Sequence, residues 1–342
     1  TQDTQRKIIN ARARLAGYHI SLTHHVEANE AVAPIADLAL KLNFQKRLPM
    51  IYTAMGTYSH WVEEDYSEAL RYLSEALKIS ENIKDKVSLW YVSFFLGFSL
   101  SFHCEFEKGI EHLMKSLELG KLAKNPIPIS MAKCGLSSFN YVFHGKNDLA
   151  YQTSKEALQM AQESGDIYIK GISCSSHGMS CYCKGLLDEA EDTLLRALSL
   201  CEKAAQDGWW TWAAGFLGHV YFDLGEYKKA QEFYEKGILT LERTEIYPFW
   251  ANMLKVSMAR SKGSNNDQNI KLSEIFQYYE NINVKVAKGW AARNVGEVLL
   301  NINDQNISEA ENWAKKAIKV DKSNCTMWSL GGDYAFYAEL FK

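Results

Sequence analysis

A three-residue marker returns along this chain about every 40 residues: a small residue, a large apolar one four positions on, and a small one three further. Ala69-Leu73-Ala76, Gly109-Leu113-Ser116, Ala190-Leu194-Ala197, Ala230-Tyr234-Gly237 and Ala310-Ala314-Ala317 carry it, and Ala150-Ser154-Ala157 keeps its small positions. The third members fall at 76, 116, 157, 197, 237 and 317, so the steps are 40, 41, 40, 40 and 80. One unit between 237 and 317 has lost its marker, and Ala31-Ile35-Leu38 reads as an earlier copy. A fixed period of this size predicts a repeat array rather than independent domains. Positions i, i+4 and i+7 share one helical face, and small residues there let a neighbouring helix approach closely.

Upstream of each marker lies a second apolar helix, often with a glycine between large residues, as in Leu96-Gly97 with Leu100 and Leu217-Gly218 with Tyr221. Turns join the two, with Gly225 and Tyr227 in one, Gly185 in another and Phe106 in a third. Asp188/Glu191 and Ser308/Glu311 have capping-box spacing before the second helix. Each unit therefore reads as a helical hairpin. Five prolines suit long uninterrupted helices.

These features resemble the tetratricopeptide repeat (TPR). The match is best at 208–242, through Leu217, Gly218, Tyr221, Gly225, Tyr227, Ala230, Tyr234 and Gly237. The unit at 167–203 keeps Gly178, Gly185, Ala190 and Ala197, with His177 where Leu is usual. The period is longer than the common 34 and resembles the longer-helix variant of bacterial signalling proteins. HEAT repeats have a similar period, but the Gly and Tyr markers favour TPR. The expected fold is all-α: a right-handed superhelical solenoid of about eight hairpins, continuous over 1–342. The units fall near 6–43, 46–80, 86–122, 128–163, 167–203, 208–242, 246–280 and 285–320, with a terminal helix at 325–342. The seventh is degenerate, with a polar turn at 263–269 and neither Ile270 nor Gln277 small.

A further resemblance spreads over most of the chain. MWSLGGDYAFYAELFK at 327–342, LALKLNFQKRLPMIYTAMGTY at 38–58 and VEEDYSEALRYLSEALKIS at 62–80 are similar to the C-terminal TPR region of large bacterial signalling proteins. Those proteins fuse a cyclase-like or kinase-like module and a STAND/AAA-type ATPase to such an array. The resemblance implies the sensor or scaffold part of a regulator, with a peptide, a protein or its own upstream ATPase/cyclase portion as partner. None of the family's catalytic motifs lies in this stretch. The sequence begins without Met, as a piece of a longer protein would, and the unpaired terminal helix offers a surface for self-association.

The formal charge is −3, with 38 Lys+Arg against 41 Asp+Glu, which argues against a nucleic-acid platform. Seven cysteines without framework spacing suit a reducing compartment, and the polar N-terminus lacks a signal peptide's apolar stretch; a cytoplasmic protein is expected. Val87 to Cys104 holds eighteen residues without Asp, Glu, Lys or Arg, at the lower edge for a membrane span. It is in register with the repeat and rich in Ser, so a buried helix is expected.

Little chemistry stands out, and neither an enzyme nor a cofactor is expected. Gly145-Lys146-Asn147 lacks the upstream glycine and the hydroxyl of a phosphate loop. Cys174, His177 and Cys181 share a helical face with metal-ligand character. Their register places them at packing positions, where Cys acts as a small hydrophobe, so no metal is expected. His24-His25 and Glu63-Glu64-Asp65 read as solvated turns.

First helices of TPR superhelices line the concave face, and carrying that register over gives an aromatic band. It comprises Trp61, Tyr91, Phe94, Phe98, Phe102, Phe139, Phe143, Tyr182, Trp212, His219, Phe222 and Trp290. Two arrangements fit such a band. One is an exposed groove for a peptide or protein, or for a planar small effector stacked on Trp and Tyr. The other is a core in which longer helices bury the rings. The band lacks the Lys/Asn set with which TPR co-chaperones clamp a carboxylate, since Phe94 and Phe98 stand there.

Overall fold

The computed structural model describes residues 1–267, 269–302 and 306–341. Gln268 in the seventh turn, 303–305 in the eighth and Lys342 at the end of the expected terminal helix lie outside them. The described residues form an all-α solenoid of helical hairpins, the fold class the marker period predicts.

The first hairpin pairs α1 (Gln2–Ser21) with a limb that Pro34 breaks into α2 (His25–Val32), a 3-10 turn (Ala33–Ile35) and α3 (Ala36–Lys41). Then come α4 (Leu48–Trp61) with α5 (Tyr66–Asn82), and α6 (Lys86–Phe102) with α7 (Phe106–Leu122). In the fourth hairpin α8 (Pro126–Gly135) widens into a π segment (Leu136–Tyr141) before α9 (Asn147–Ser164). The regular centre is α10 (Ile167–Cys183) with α11 (Leu187–Lys203) and α12 (Asp207–Asp223) with α13 (Tyr227–Thr244). Next are α14 (Pro248–Ser264) with α15 (Leu272–Glu280), α16 (Lys285–Ile302) with α17 (Ile307–Asn324), and the closing α18 (Met327–Glu339).

The markers make the hairpins tight. Ala69, Leu73, Ala76, Ala190, Leu194 and Ala197 are fully buried. At Gly218 a Cβ would lie 2.4 Å from the Tyr234 ring, so only glycine lets α12 and α13 meet there. Some helices start on short polar caps: Asp65, Asp85, Asn125 and Asp166 accept backbone N–H bonds at the heads of α5, α6, α8 and α10. The two expected capping boxes do not form. Leu186 and Asn306 hold the N-cap positions of α11 and α17, neither with a side-chain cap bond, so Asp188 and Ser308 fall inside the first turn. Residues 87–102 of the apolar stretch lie in α6, whose Val92–Phe102 portion is buried, and His103 and Cys104 fall in the turn after it. Among the described residues no helix is long and apolar enough to cross a membrane.

The chain then meets itself. Thr23, in the turn after α1, accepts a bond from Gly208 N–H at the head of α12 (2.8 Å). In the next turn along, the Glu64 carboxylate accepts from Phe249 N–H at the head of α14, while Tyr247 N–H donates to the Trp61 carbonyl (2.7 Å). Both side-chain links span 185 residues. One turn further, His103 and Cys104 lie in the field of Lys285 at the head of α16, and α6 touches α16. One more, and a Cβ at Gly145 would lie 2.7 Å from Met327 Cβ at the head of α18. Four successive hairpin turns thus lie against the N-termini of alternate helices, α12, α14, α16 and α18. At about 40 residues per unit the superhelix completes a turn in between four and five hairpins.

Each of these turns reverses through one residue of positive φ, which is Gly145 (φ 79°) in the fourth docking turn. The turns after α10 and α12 reverse through Gly185 (φ 83°) and Gly225 (φ 76°), the residue that tolerates the left-handed region. The turns after α1, α4 and α6 place Thr23 (φ 65°), Glu64 (φ 56°) and Cys104 (φ 64°) there instead. A β-branched Thr at positive φ is a costly choice. Thr23 and Glu64 are also the residues whose side chains make the long-range bonds. Two readings of solvated turns are therefore corrected: Glu64 caps a distant helix, and His25 is buried edge-on to Tyr247 at a centroid distance of 6.3 Å.

Candidate functional site: the inner channel

Closure of the superhelix turns its concave face into a narrow channel, and the aromatic band fills much of it. Trp61, Phe94, Phe98, Phe102, Phe139, Phe143, Trp212, His219 and Trp290 are buried, while Tyr91, Tyr182 and Phe222 are half-buried. The rings pack on one another across the channel. Trp61 meets Phe98 at 5.2 Å and Phe102 at 5.0 Å, and Phe139 meets Phe98 at 4.3 Å. Trp212, almost three units along from Phe102, is 5.8 Å from it and 5.2 Å from Phe139. These are the edge-to-face separations that aromatic pairs prefer. The π segment contributes Phe139 to the centre of the cluster.

Trp212 also stacks on Trp250 at 4.3 Å, which leads to a second cluster. There Trp290 lies 4.7 Å from His219 and 5.0 Å from Trp328, and Tyr182 lies 5.6 Å from Phe216. The band therefore splits. Tyr91 turns aside, its hydroxyl donating to the Gly17 carbonyl (3.3 Å). Phe222 sits at the mouth beneath the Arg260 guanidinium, 3.6 Å from its ring centre. Tyr247, Phe249, Trp250 and Trp328 join the packing without having been singled out in the sequence. Three of them belong to the seventh unit, whose lost marker left no register to carry over; the YPFW cluster at 247–250 was the available signal.

Among the described residues the ring cluster leaves no open trough between units three and six, while an apolar hollow of about 400 Å³ lies beside it between Trp90, Tyr91, Leu119, Met131 and Tyr168. The space bounded by Phe94, Phe98, Phe139 and Trp212 holds about 30 Å³, room for one water. His60 lies 3.8 Å from the Trp61 ring with neither nitrogen hydrogen-bonded, and burial pushes its pKa far down. Burial likewise lowers His25, to about 3, and His103, to about 4. His219 is held neutral by burial, with Nδ1 2.8 Å from the Tyr234 hydroxyl.

The channel is open where the first helices of the last units converge. A cavity of about 600 Å³ is bounded by Tyr182, Phe222 and Asp223, by Arg260 of α14, by Arg293 and Glu297 of α16, and by α18. Arg260 pairs with Glu297 and faces Asp223 at 3.9 Å. Arg293 reaches Glu297 (3.5 Å), Asp333 (3.2 Å) and the Ser329 carbonyl (2.9 Å). Burial pushes the Asp223, Asp321 and Asp333 carboxyls above the usual range. α18 lies along α16 and α17, with Phe336 buried against Gly296, and so forms one wall of this cavity.

The expected cysteine–histidine face is only partly realised. His177 and Cys181 lie together, but Cys174 is turned away, beside Lys170 and Arg196 on a separate surface hollow. Glu189 of α11 takes its place beside His177. Spacing along one helix could not reveal this, because the third group comes from the neighbouring helix.

Residues 172–238 match a family model described as tetratricopeptide repeat. The fold is a TPR array. Its architecture recurs in solved structures at low sequence identity. A Rap protein complexed with competence and sporulation factor shares 14% identity and a TM-score of 0.63, over 99% of this chain and 98% of that one. The Rap conjugation gene regulator of the plasmid pLS20, in complex with the Phr* peptide, gives 14% and 0.66, over 93% and 96%. NprR in complex with its cognate peptide NprX gives 12% and 0.55, over 97% and 98%. No curated protein matches the sequence.

Proposed function

We propose that this chain is a non-catalytic peptide- or protein-binding scaffold, a continuous TPR array that acts as the sensing part of a bacterial signal-transduction regulator. The observation that carries the reading is the split character of the inner face. One stretch is closed by stacked rings, and the other stays open over about 600 Å³ with Arg260 and Arg293 at its wall. An extended segment entering the open end meets guanidiniums, carboxylates and aromatic edges, the groups that hold a peptide backbone and its charged ends. Two of the Rap-type structures and NprR were solved with peptide or factor bound, which supports the same class of ligand here. Phe222 and Tyr227 would frame the entrance, while the buried rings would respond to binding rather than touch the ligand first. The upstream ATPase/cyclase portion implied by the sequence resemblance is the expected partner within a longer protein. The free cysteines fit a cytoplasmic setting.

The test is titration of the array with its upstream segment and with a library of short peptides, followed by tryptophan fluorescence. Phe222→Ala and Tyr227→Ala are expected to weaken binding while helicity stays intact. Binding unchanged in both variants would place the ligand elsewhere on the array. A planar small molecule that binds where no peptide does would favour effector sensing over peptide binding.

A further inference from the structure

The most developed unassigned chemistry lies away from the channel, in the fifth hairpin. His177 and Cys181 are one helical turn apart on α10, and Glu189 reaches them from the first turn of α11. His177 Nε2 is 3.2 Å from Glu189 Oε1 and 3.7 Å from Cys181 Sγ, and all three donor atoms lie within 4.8 Å of one another.

The hydrogen bonds around His177 accommodate the tautomer that a metal site needs. Ser154 on α9 donates its hydroxyl to the Tyr151 carbonyl (3.0 Å) and lies 3.0 Å from His177 Nδ1. With its one hydrogen on Tyr151, Ser154 accepts at the imidazole and Nδ1 carries the N–H; with that hydrogen on Nδ1 instead, Nε2 donates to Glu189. In the first arrangement the Nε2 lone pair points between a carboxylate oxygen and a sulfur. The Tyr151 hydroxyl holds that carboxylate by both oxygens, 3.2 Å from Oε1 and 3.3 Å from Oε2. Three electron-rich atoms face one space, which suits a cation between them.

We propose that His177, Cys181 and Glu189 form a site for a divalent transition-metal ion of the zinc type, with a fourth position open to water. Tetrahedral ligands at about 2.0–2.3 Å from such an ion stand roughly 3.3–3.6 Å apart. The 3.2 and 3.7 Å separations lie close to that spacing. Thiolate and imidazole select against Mg²⁺ and Ca²⁺, which take oxygen ligands. One thiolate and one carboxylate balance the charge of the ion, the Cys181 thiol releasing its proton to solvent as the ion binds. Ser154 is the outer partner that holds the imidazole tautomer. Entry is from the Glu189 side, whose side chain is 41% exposed against 4% for His177. The bound ion would tie α10 to α11 and, through Ser154, to α9.

The experiment uses the whole chain, stripped with chelator, in a Cys325→Ser background because Cys325 is exposed. Titration with Co²⁺ is expected to give one equivalent bound with thiolate-to-cobalt absorption, displaced by Zn²⁺, and a raised Tm. Cys181→Ser should abolish the absorption, and Glu189→Gln, a change at an exposed side chain, should weaken binding with the fold intact. Ser154→Ala should weaken binding about tenfold or more. Cys174→Ser should leave it unchanged. No stoichiometric binding by the unmutated site, or absorption that survives Cys181→Ser, would overturn the proposal and leave the trio as a hydrogen-bonded imidazole–carboxylate pair.

Discussion

His60 is a polar ring treated by its surroundings as an apolar one. It lies on Trp61 with no hydrogen-bond partner, and His25 and His103 raise the cost of charging it further. A folded-state pKa depressed below 6.5 means that the folded chain binds fewer protons than the unfolded one. The stability contribution is therefore complete above about 6.5 and is lost as pH falls toward the His25 value of about 3. Thermal unfolding followed from pH 7 downward should show Tm dropping through this window, and His60→Leu should flatten the drop. A profile unchanged by His60→Leu would move the acid sensitivity elsewhere. Asp333 acts with the opposite sign, because its raised pKa makes the folded chain hold a proton that the unfolded chain releases. At Gly218 the issue is volume. Ala there meets the Tyr234 ring, so Gly218→Ala should cost about 1–3 kcal/mol in urea unfolding. An unchanged midpoint would mean that α12 and α13 can slide apart.

At the scale of the element, the repeat was legible because small residues at fixed spacing are a packing requirement and appear directly in the letters. Ala69-Leu73-Ala76 could be read this way, and so could the loss of the marker around Ile270 and Gln277, where α15 shortens to nine residues. Caps were less legible. Asp188 and Glu191 have the right spacing, but the helix begins at Leu187, one residue before Asp188, so the box is out of frame. Asp65 does cap, accepting from Glu68 N–H at 2.9 Å. Asp65→Ala should therefore cost about 0.5–2 kcal/mol, and Asp188→Ala much less. Equal losses in urea unfolding would contradict the cap assignment. The band of inward aromatics was readable as a face, because register along a helix is local. Whether that face was a groove or a core was not, because the answer depends on residues 185 positions away.

At the scale of the whole molecule, the decisive feature is that the superhelix closes on itself. A TPR array held only by neighbour contacts is quasi-one-dimensional, and each unit depends on the next. Here Thr23, Glu64 and Gly145 add contacts between successive superhelical turns, and the ring clusters of Phe102, Phe139, Trp212 and Phe249 span the interior. These contacts tie the first units to the last. Glu64→Ala removes the acceptor from the head of α14. It should destabilise the array by about 1–3 kcal/mol in urea unfolding, the cost of leaving a buried donor unpaired, and an unchanged midpoint would mean that this link carries no stability. The most direct measurement is the distance between labels at the exposed positions 63 and 245, which lie on facing turns although they are far apart in sequence. Pulsed electron-spin resonance on the free chain should give a short, narrow distribution. A long or broad one would describe an open solenoid, with its aromatic face free in solution, and would contradict the closed channel.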